Sequence, residues 1–104
     1  MSVDDLILKI LMYIKQNHQQ IFSQQPEAVA EQVLDALKAY GRIARIFVRA
    51  KWTTIKYYLL DPTRLMLLVK QYDEEAYRIL MRHTAWLNRF FPALYRLLKQ
   101  YAGT

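Results

Sequence analysis

The chain has 104 residues, no cysteine and a formal net charge of +6. That length suits one domain with a single core, 1–104, and the missing cysteines exclude a disulfide framework, a thiolate metal site and a thiol nucleophile. The basic balance points toward a polyanionic partner, because the charge is concentrated in one stretch.

The opening residues MSVDD place two acids ahead of the first apolar run, where a secretory signal would place bases, so a cytoplasmic location is expected. Ser2 is a good helix cap, and Asp4 and Asp5 meet the positive end of the helix dipole in the first turn. Val3, Leu6, Ile7, Ile10, Tyr13, Ile14, Ile21 and Phe22 recur at helical spacing, which predicts a first helix reaching about Phe22. The segment SQQP ends it, since Pro26 disfavours a helical residue before it and suits the first helical position itself. Glu27 and Glu31 load the front of a second helix whose face is Val29, Val33, Leu37 and Tyr40. Gly41 is its expected stop in the left-handed conformation, the alternative being a glycine kink within a longer helix.

The third helix, 42–60, carries the charge. No acid lies between Asp35 and Asp61, whereas Lys38, Arg42, Arg45, Arg49, Lys51 and Lys56 all fall there. At 100° per residue, Arg42, Arg45, Arg49, Trp52 and Lys56 fall within roughly 80°, a basic stripe with an aromatic set in it. Ile43, Ala44, Phe47, Val48, Ile55 and Tyr58 are expected on the opposite, core-facing side, with the Lys51 stem lying over the core and its ammonium in water.

Asp61 followed by Pro62 starts a fourth helix. Leu65, Val69, Tyr72, Ala76, Ile79, His83, Trp86 and Phe90 then follow in steps of three and four, a heptad-like seam that predicts one long helix from Pro62 to about Phe90. Asp73 is the place where a separate helix would be capped. Pro92 is expected to break the chain before a short fifth helix with Leu94, Leu97, Leu98 and Tyr101, closed before Gly103. The expectation is an all-α, compact bundle of about five helices around the long central helix at 62–90. The longest aliphatic run, 65–69, is far short of the roughly 18 to 20 residues a spanning helix needs, so no transmembrane segment is expected.

After Glu75 a second stripe, Arg78, Arg82, Arg89, Arg96 and Lys99, again has no acid among it. The four Arg lie within roughly 40° on an ideal helix, away from the seam. Arginine's planar fork grips phosphate oxygens bidentately, so both stripes suit a nucleic-acid backbone. Trp52 is a candidate stacking platform for an unpaired base or, equally, a wedge over the core edge. The candidate nucleic-acid-binding residues are therefore Arg42, Arg45, Arg49, Trp52, Lys56, Arg78, Arg82 and Arg89, the last three either extending the phosphate track or meeting a protein partner.

Catalysis has no comparable signature. Arg78 and His83 resemble the Arg, four residues, His spacing of the HEPN ribonuclease family, which implies a pair facing an RNA phosphate across a dimer. Here Ile79 follows the Arg where that family usually has a polar residue, and His83 falls in the apolar seam, which favours a structural histidine. The two histidines lie far apart with no carboxylate at ligand spacing, so no metal is expected, and two glycines cannot build a phosphate loop. Asp73, Glu74 and Glu75 point three ways on a helix and are expected to solvate that turn or pair with Lys70 and Arg78. No catalytic residue, metal ligand or cofactor is assigned.

In size, basicity and helical build the chain resembles the small helical subunits of CRISPR effector complexes. That resemblance implies a non-catalytic subunit of a ribonucleoprotein or DNA-targeting assembly in antiviral defence, with several copies lining a displaced strand or a guide. The residues themselves lead to binding of RNA or single-stranded DNA with little sequence preference, since phosphate contacts do not read bases. Two alternatives stand beside it: a protein-interaction module using Tyr-rich helix faces, and a peripheral binder of anionic membranes using Trp86, Phe90 and Phe91 with nearby Arg residues.

Overall fold

A computed structural model describes residues 2–103. Those residues form eight helices and no strand: α1 (Val3–Gln16), α2 (His18–Ile21), α3 (Pro26–Lys38), α4 (Arg42–Ala50), α5 (Trp52–Leu59), α6 (Pro62–Tyr72), α7 (Glu74–Met81) and α8 (Thr84–Ala102). The all-helical class is as expected, but three of the five anticipated helices are divided. Each division has a local cause.

The first falls at Asn17, whose side-chain amide donates to the Tyr13 carbonyl at 3.0 Å and so competes with the backbone ladder that would have carried the helix to Phe22. Upstream, Ser2 and Asp5 form a reciprocal capping box, each side chain accepting from the other's backbone N–H at 3.1 Å. The basic helix divides at Lys51 (φ −105°, ψ 17°), just where β-branched Thr53 and Thr54 make the helix weak. Lys51 is therefore an exposed joint between α4 and α5.

The expected long helix at 62–90 is three helices. Asp73 adopts extended geometry (φ −155°, ψ 97°) and accepts from the Ala76 N–H at 3.1 Å, which caps α7; its other oxygen takes the Lys15 ammonium at 2.7 Å. A capping side chain with a second, tertiary partner outweighs continuity of the apolar phase. Tyr72, a seam position, is 63 % exposed as a result. A second turn at His83 (φ −127°, ψ 39°) precedes α8. By contrast Pro92 breaks nothing: it lies inside α8 on the exposed side, as does Asn88 four residues back, whose carbonyl loses its helical donor.

α8 organises the core. It buries Leu87, Phe90, Phe91, Ala93, Leu94, Leu98 and Ala102, and its most extensive partner is α3. The two run parallel, with Arg89 against Glu27 at one end and the Tyr101 hydroxyl donating to the Gly41 carbonyl at 3.4 Å at the other. α4 and α5 pack on α8 from a second side, while α1 lies against α6 and α7. Phe90, Leu11, Ile14, Ile21, Ile55, Leu80 and Leu94 are among the largest fully buried side chains, each contributing about 1.5 to 3 kcal/mol of burial. No polar or charged residue is buried among those described, so every charge is left on the surface.

Gly41 separates α3 from α4 as expected, though not as a left-handed helix closure. Its φ of 73° and ψ of −147° lie in the extended positive-φ region that only glycine tolerates, and it precedes α4 directly.

Candidate nucleic-acid interface

Going round α4, the buried Ala44 and Val48 and the half-buried Phe47 define the core side. Arg42, Arg45 and Arg49 project on the opposite side, all exposed, within about 60° of one another at 100° per residue. Along the axis they sit roughly 4.5 and 6 Å apart, at 1.5 Å per residue. Lys56 is likewise exposed on α5.

The row has different environments along it. Arg49 Nε donates to the Ala102 carbonyl at 2.9 Å, and its guanidinium lies so close to Gly103 that a Cβ there would meet Arg49 Nη2 at 2.8 Å and Arg45 Nη2 at 3.6 Å. Two guanidinium groups thus converge on the C-terminus of α8, where the unpaired carbonyls carry the negative end of the helix dipole. Arg42 and Arg45 make no hydrogen bond or ion pair among the described residues. Arg49 is therefore both a charge in the row and a tie between α4 and α8.

Trp52 lies at the core edge. It is half-buried, and its ring stacks on Tyr95 of α8 with centroids 5.6 Å apart, so one indole face is already occupied. Ile43, placed by the sequence pattern on the core side, is 79 % exposed; Ile46, beside it, is 57 % exposed. With α4 ending at Ala50, the helix no longer has to follow the phase of Ile55 and Tyr58, and it rolls Ile43 outward. Tyr58 is half-buried and donates from its hydroxyl to Asp4 Oδ1 at 2.6 Å, tying α5 to α1; that bond to a carboxylate, followed by burial, pushes the phenol's pKa up.

The second stripe does not reach the first as one row. Arg78 on α7 faces Glu74 at 3.6 Å. Arg89 on α8 is held by Glu27 at 3.0 Å and by the Gln25 side chain at 2.9 Å. Arg82 is exposed at the end of α7 without a partner among the described residues. The part of the stripe nearest the α4–α5 surface is its far end: Tyr95 stacks on Trp52, and Arg96 lines a shallow hollow with Leu59 and Leu60. Arg89, paired with Glu27 62 residues away in sequence, is a helix tie.

The other candidates resolve into packing. His83 stacks on Phe22 with centroids 3.7 Å apart and planes 9° from parallel, while Arg78 sits on a different helix with Glu74. The HEPN-like spacing thus spans a helix break, and its two members have separate partners. His18 is half-buried with Nδ1 2.8 Å from the Lys15 carbonyl. Phe90 and Phe91 are buried, so these two rings are core and unavailable to a lipid surface, while Trp86 is half-buried with Nε1 donating to the Gln24 carbonyl at 2.9 Å. Asp73 and Glu75 face Lys15 at 2.7 and 3.6 Å, not Lys70, whose ammonium lies over the Tyr77 ring. Among the described residues, no group of three or more His, Asp or Glu is gathered for a metal ion, and no helix is long and apolar enough to cross a membrane.

The chain matches no protein-family model, and no curated protein or solved structure is significantly similar to it.

Proposed function

We propose that the α4–α5 surface holds the phosphate backbone of RNA or single-stranded DNA without catalysis, as a small subunit of a larger ribonucleoprotein or DNA-targeting assembly. One observation carries the reading. The acids near other bases are engaged with them, Glu27 with Arg89, Glu74 with Arg78 and Asp73 with Lys15, whereas Arg42 and Arg45 have no acidic neighbour in hydrogen-bond or ion-pair range among the described residues. A row of exposed arginines at roughly 5 Å intervals suits successive phosphates of one strand.

Anisotropy titration of a fluorescent 20-residue oligonucleotide against salt tests this. With Arg42, Arg45, Arg49 and Lys56 each neutralising one phosphate, the log–log slope is about −3 on the single-strand coefficient. A slope near zero, or no binding at about 50 mM salt, overturns the reading.

A second reading, a protein-interaction module, is favoured by the apolar groove between α1 and α3. It encloses about 240 Å³ between Leu6, Ile10, Val33 and Leu37, and is edged by Tyr13 and Tyr40, which are 43 % and 66 % exposed. Under the first reading, Tyr13→Ala and Tyr40→Ala leave oligonucleotide affinity unchanged.

A further inference from the structure

The exposed aliphatic side chains of α4 lie directly alongside its arginine row. Taking 100° per residue, the order round the helix is the buried Val48 and Ala44, the half-buried Phe47, then Ile43, Ala50 and Ile46 within about 60°, then Arg42, Arg49 and Arg45. The apolar strip therefore fills the space between the core edge and the guanidinium row. Isolated exposed isoleucines need no explanation, but two on adjacent turns, 79 % and 57 % exposed and contiguous with a small Ala, form a strip that anything gripping the row would cover.

We infer that Ile43 and Ile46 are base-contacting residues and that α4 discriminates single-stranded from double-stranded nucleic acid. The inference rests on the phosphate-binding reading and names its ligand class. In a single strand each phosphate is followed, one nucleotide wide, by an unpaired base with apolar faces. A strand whose phosphates sit on Arg42, Arg45 and Arg49 can lay those faces on the strip between the row and the core edge. In a duplex the base faces are stacked on one another and only polar edges reach the grooves, so the same strip would be left against water and phosphate. Trp52, the aromatic that composition would nominate for this contact, is stacked on Tyr95. Contact with aliphatic side chains is tolerant of base identity, in line with a binder that reads little sequence.

The test compares four labelled ligands on the whole chain: a 20-residue single strand, its duplex, the same strand with abasic sites throughout, and vesicles containing phosphatidylserine. The single strand is expected to bind about tenfold more tightly than either the duplex or the abasic strand. Ile43→Gln with Ile46→Gln, which keeps good helix formers, is expected to abolish that difference while leaving the salt slope and the melting temperature unchanged. Equal binding of intact and abasic strands, or an unaltered preference in the double variant, overturns this inference and leaves the phosphate-binding reading in place. Absence of binding to all three oligonucleotides overturns that reading as well, and vesicle binding without oligonucleotide binding assigns the Ile–Arg face to an anionic lipid surface instead.

Discussion

Arg49 should respond to mutation differently from the other members of its row, because it alone combines exposure with a hydrogen bond into another helix. Its Nε donates to the Ala102 carbonyl at 2.9 Å, one of the terminal carbonyls that α8 cannot pair internally, while the Gly103 N–H bonds back to Gln100 at 3.1 Å. A hydrogen bond from a charged donor contributes about 1.5 to 3 kcal/mol, and because Arg49 is exposed, solvent screening reduces this to about 1 kcal/mol. For a domain of this size that corresponds to a fall in melting temperature of about 4 to 8 °C for Arg49→Gln. Arg42→Gln, with no partner to lose among the described residues, should stay within about 0.5 kcal/mol of the parent. Circular dichroism melts at 222 nm measure both stabilities, and the magnitude of the salt slope for a single-stranded oligonucleotide should shrink by about 0.7 in both variants. Arg49→Lys separates the roles, since it keeps the charge and the slope but lacks the planar Nε donor that reaches Ala102. An Arg49→Gln melt that matches the parent's would show that the tie to α8 contributes nothing. Equal destabilisation by both would make the whole row structural and remove the basis for assigning it to a ligand.

Gly41→Ala and Gly41→Asn should both destabilise the fold, by about 1 to 3 kcal/mol, because φ 73° with ψ −147° lies outside the left-handed helical region that Asn tolerates; with nothing within 4 Å of an added Cβ, the cost is all backbone. An Asn variant as stable as the parent in urea would refute that assignment. The Lys15 ammonium, and then the Ala76 N–H, hold the Asp73 carboxyl below its ordinary pKa of 3.8. A depressed folded-state pKa contributes stability that is present above the unfolded value and is lost as pH falls through the folded one. Asp73→Asn should therefore be less stable than the parent at pH 7 and approach it at a pH below the folded-state pKa; a gap of constant size in urea melts at both pH values would refute this.

The class of the fold was legible because nearly all of its information is short-range. Ser2 with Asp5, Pro26, Asp61 with Pro62 and Gly103 each act within one turn of themselves, and each marks a helix end in the structure. The number of helices was not legible, for the same reason seen from the other side. At Asp73 a local cap competes with a continuous apolar phase, and the deciding contribution comes from Lys15, 58 residues away. Pro92 shows the reverse case, a strong local stop signal overruled because Leu87, Phe90, Phe91, Leu94 and Leu98 bury one continuous face across it. A heptad pattern constrains which residues go inward, and a chain can satisfy it with one long helix or with several short ones joined at capped turns.

The same asymmetry governs the candidate interface. Position on a helix wheel tells which charges share a face, and α4 does present Arg42, Arg45 and Arg49 together on its exposed side. It cannot tell which charges keep their field, because that depends on acids delivered by other helices. Arg89 looks as available as Arg45 in sequence, yet Glu27 and Gln25 meet it across the α3–α8 pair. An exposed arginine with a bidentate carboxylate partner has to give up that partner before it can take a phosphate, so Arg89 would bind one only at the expense of the contact between α3 and α8. Arg42 and Arg45 have no such carboxylate partner among the described residues. That difference ranks the two stripes: a polyanion should meet α4 first and lose most when α4 is neutralised, whereas Arg89→Gln should act mainly on stability.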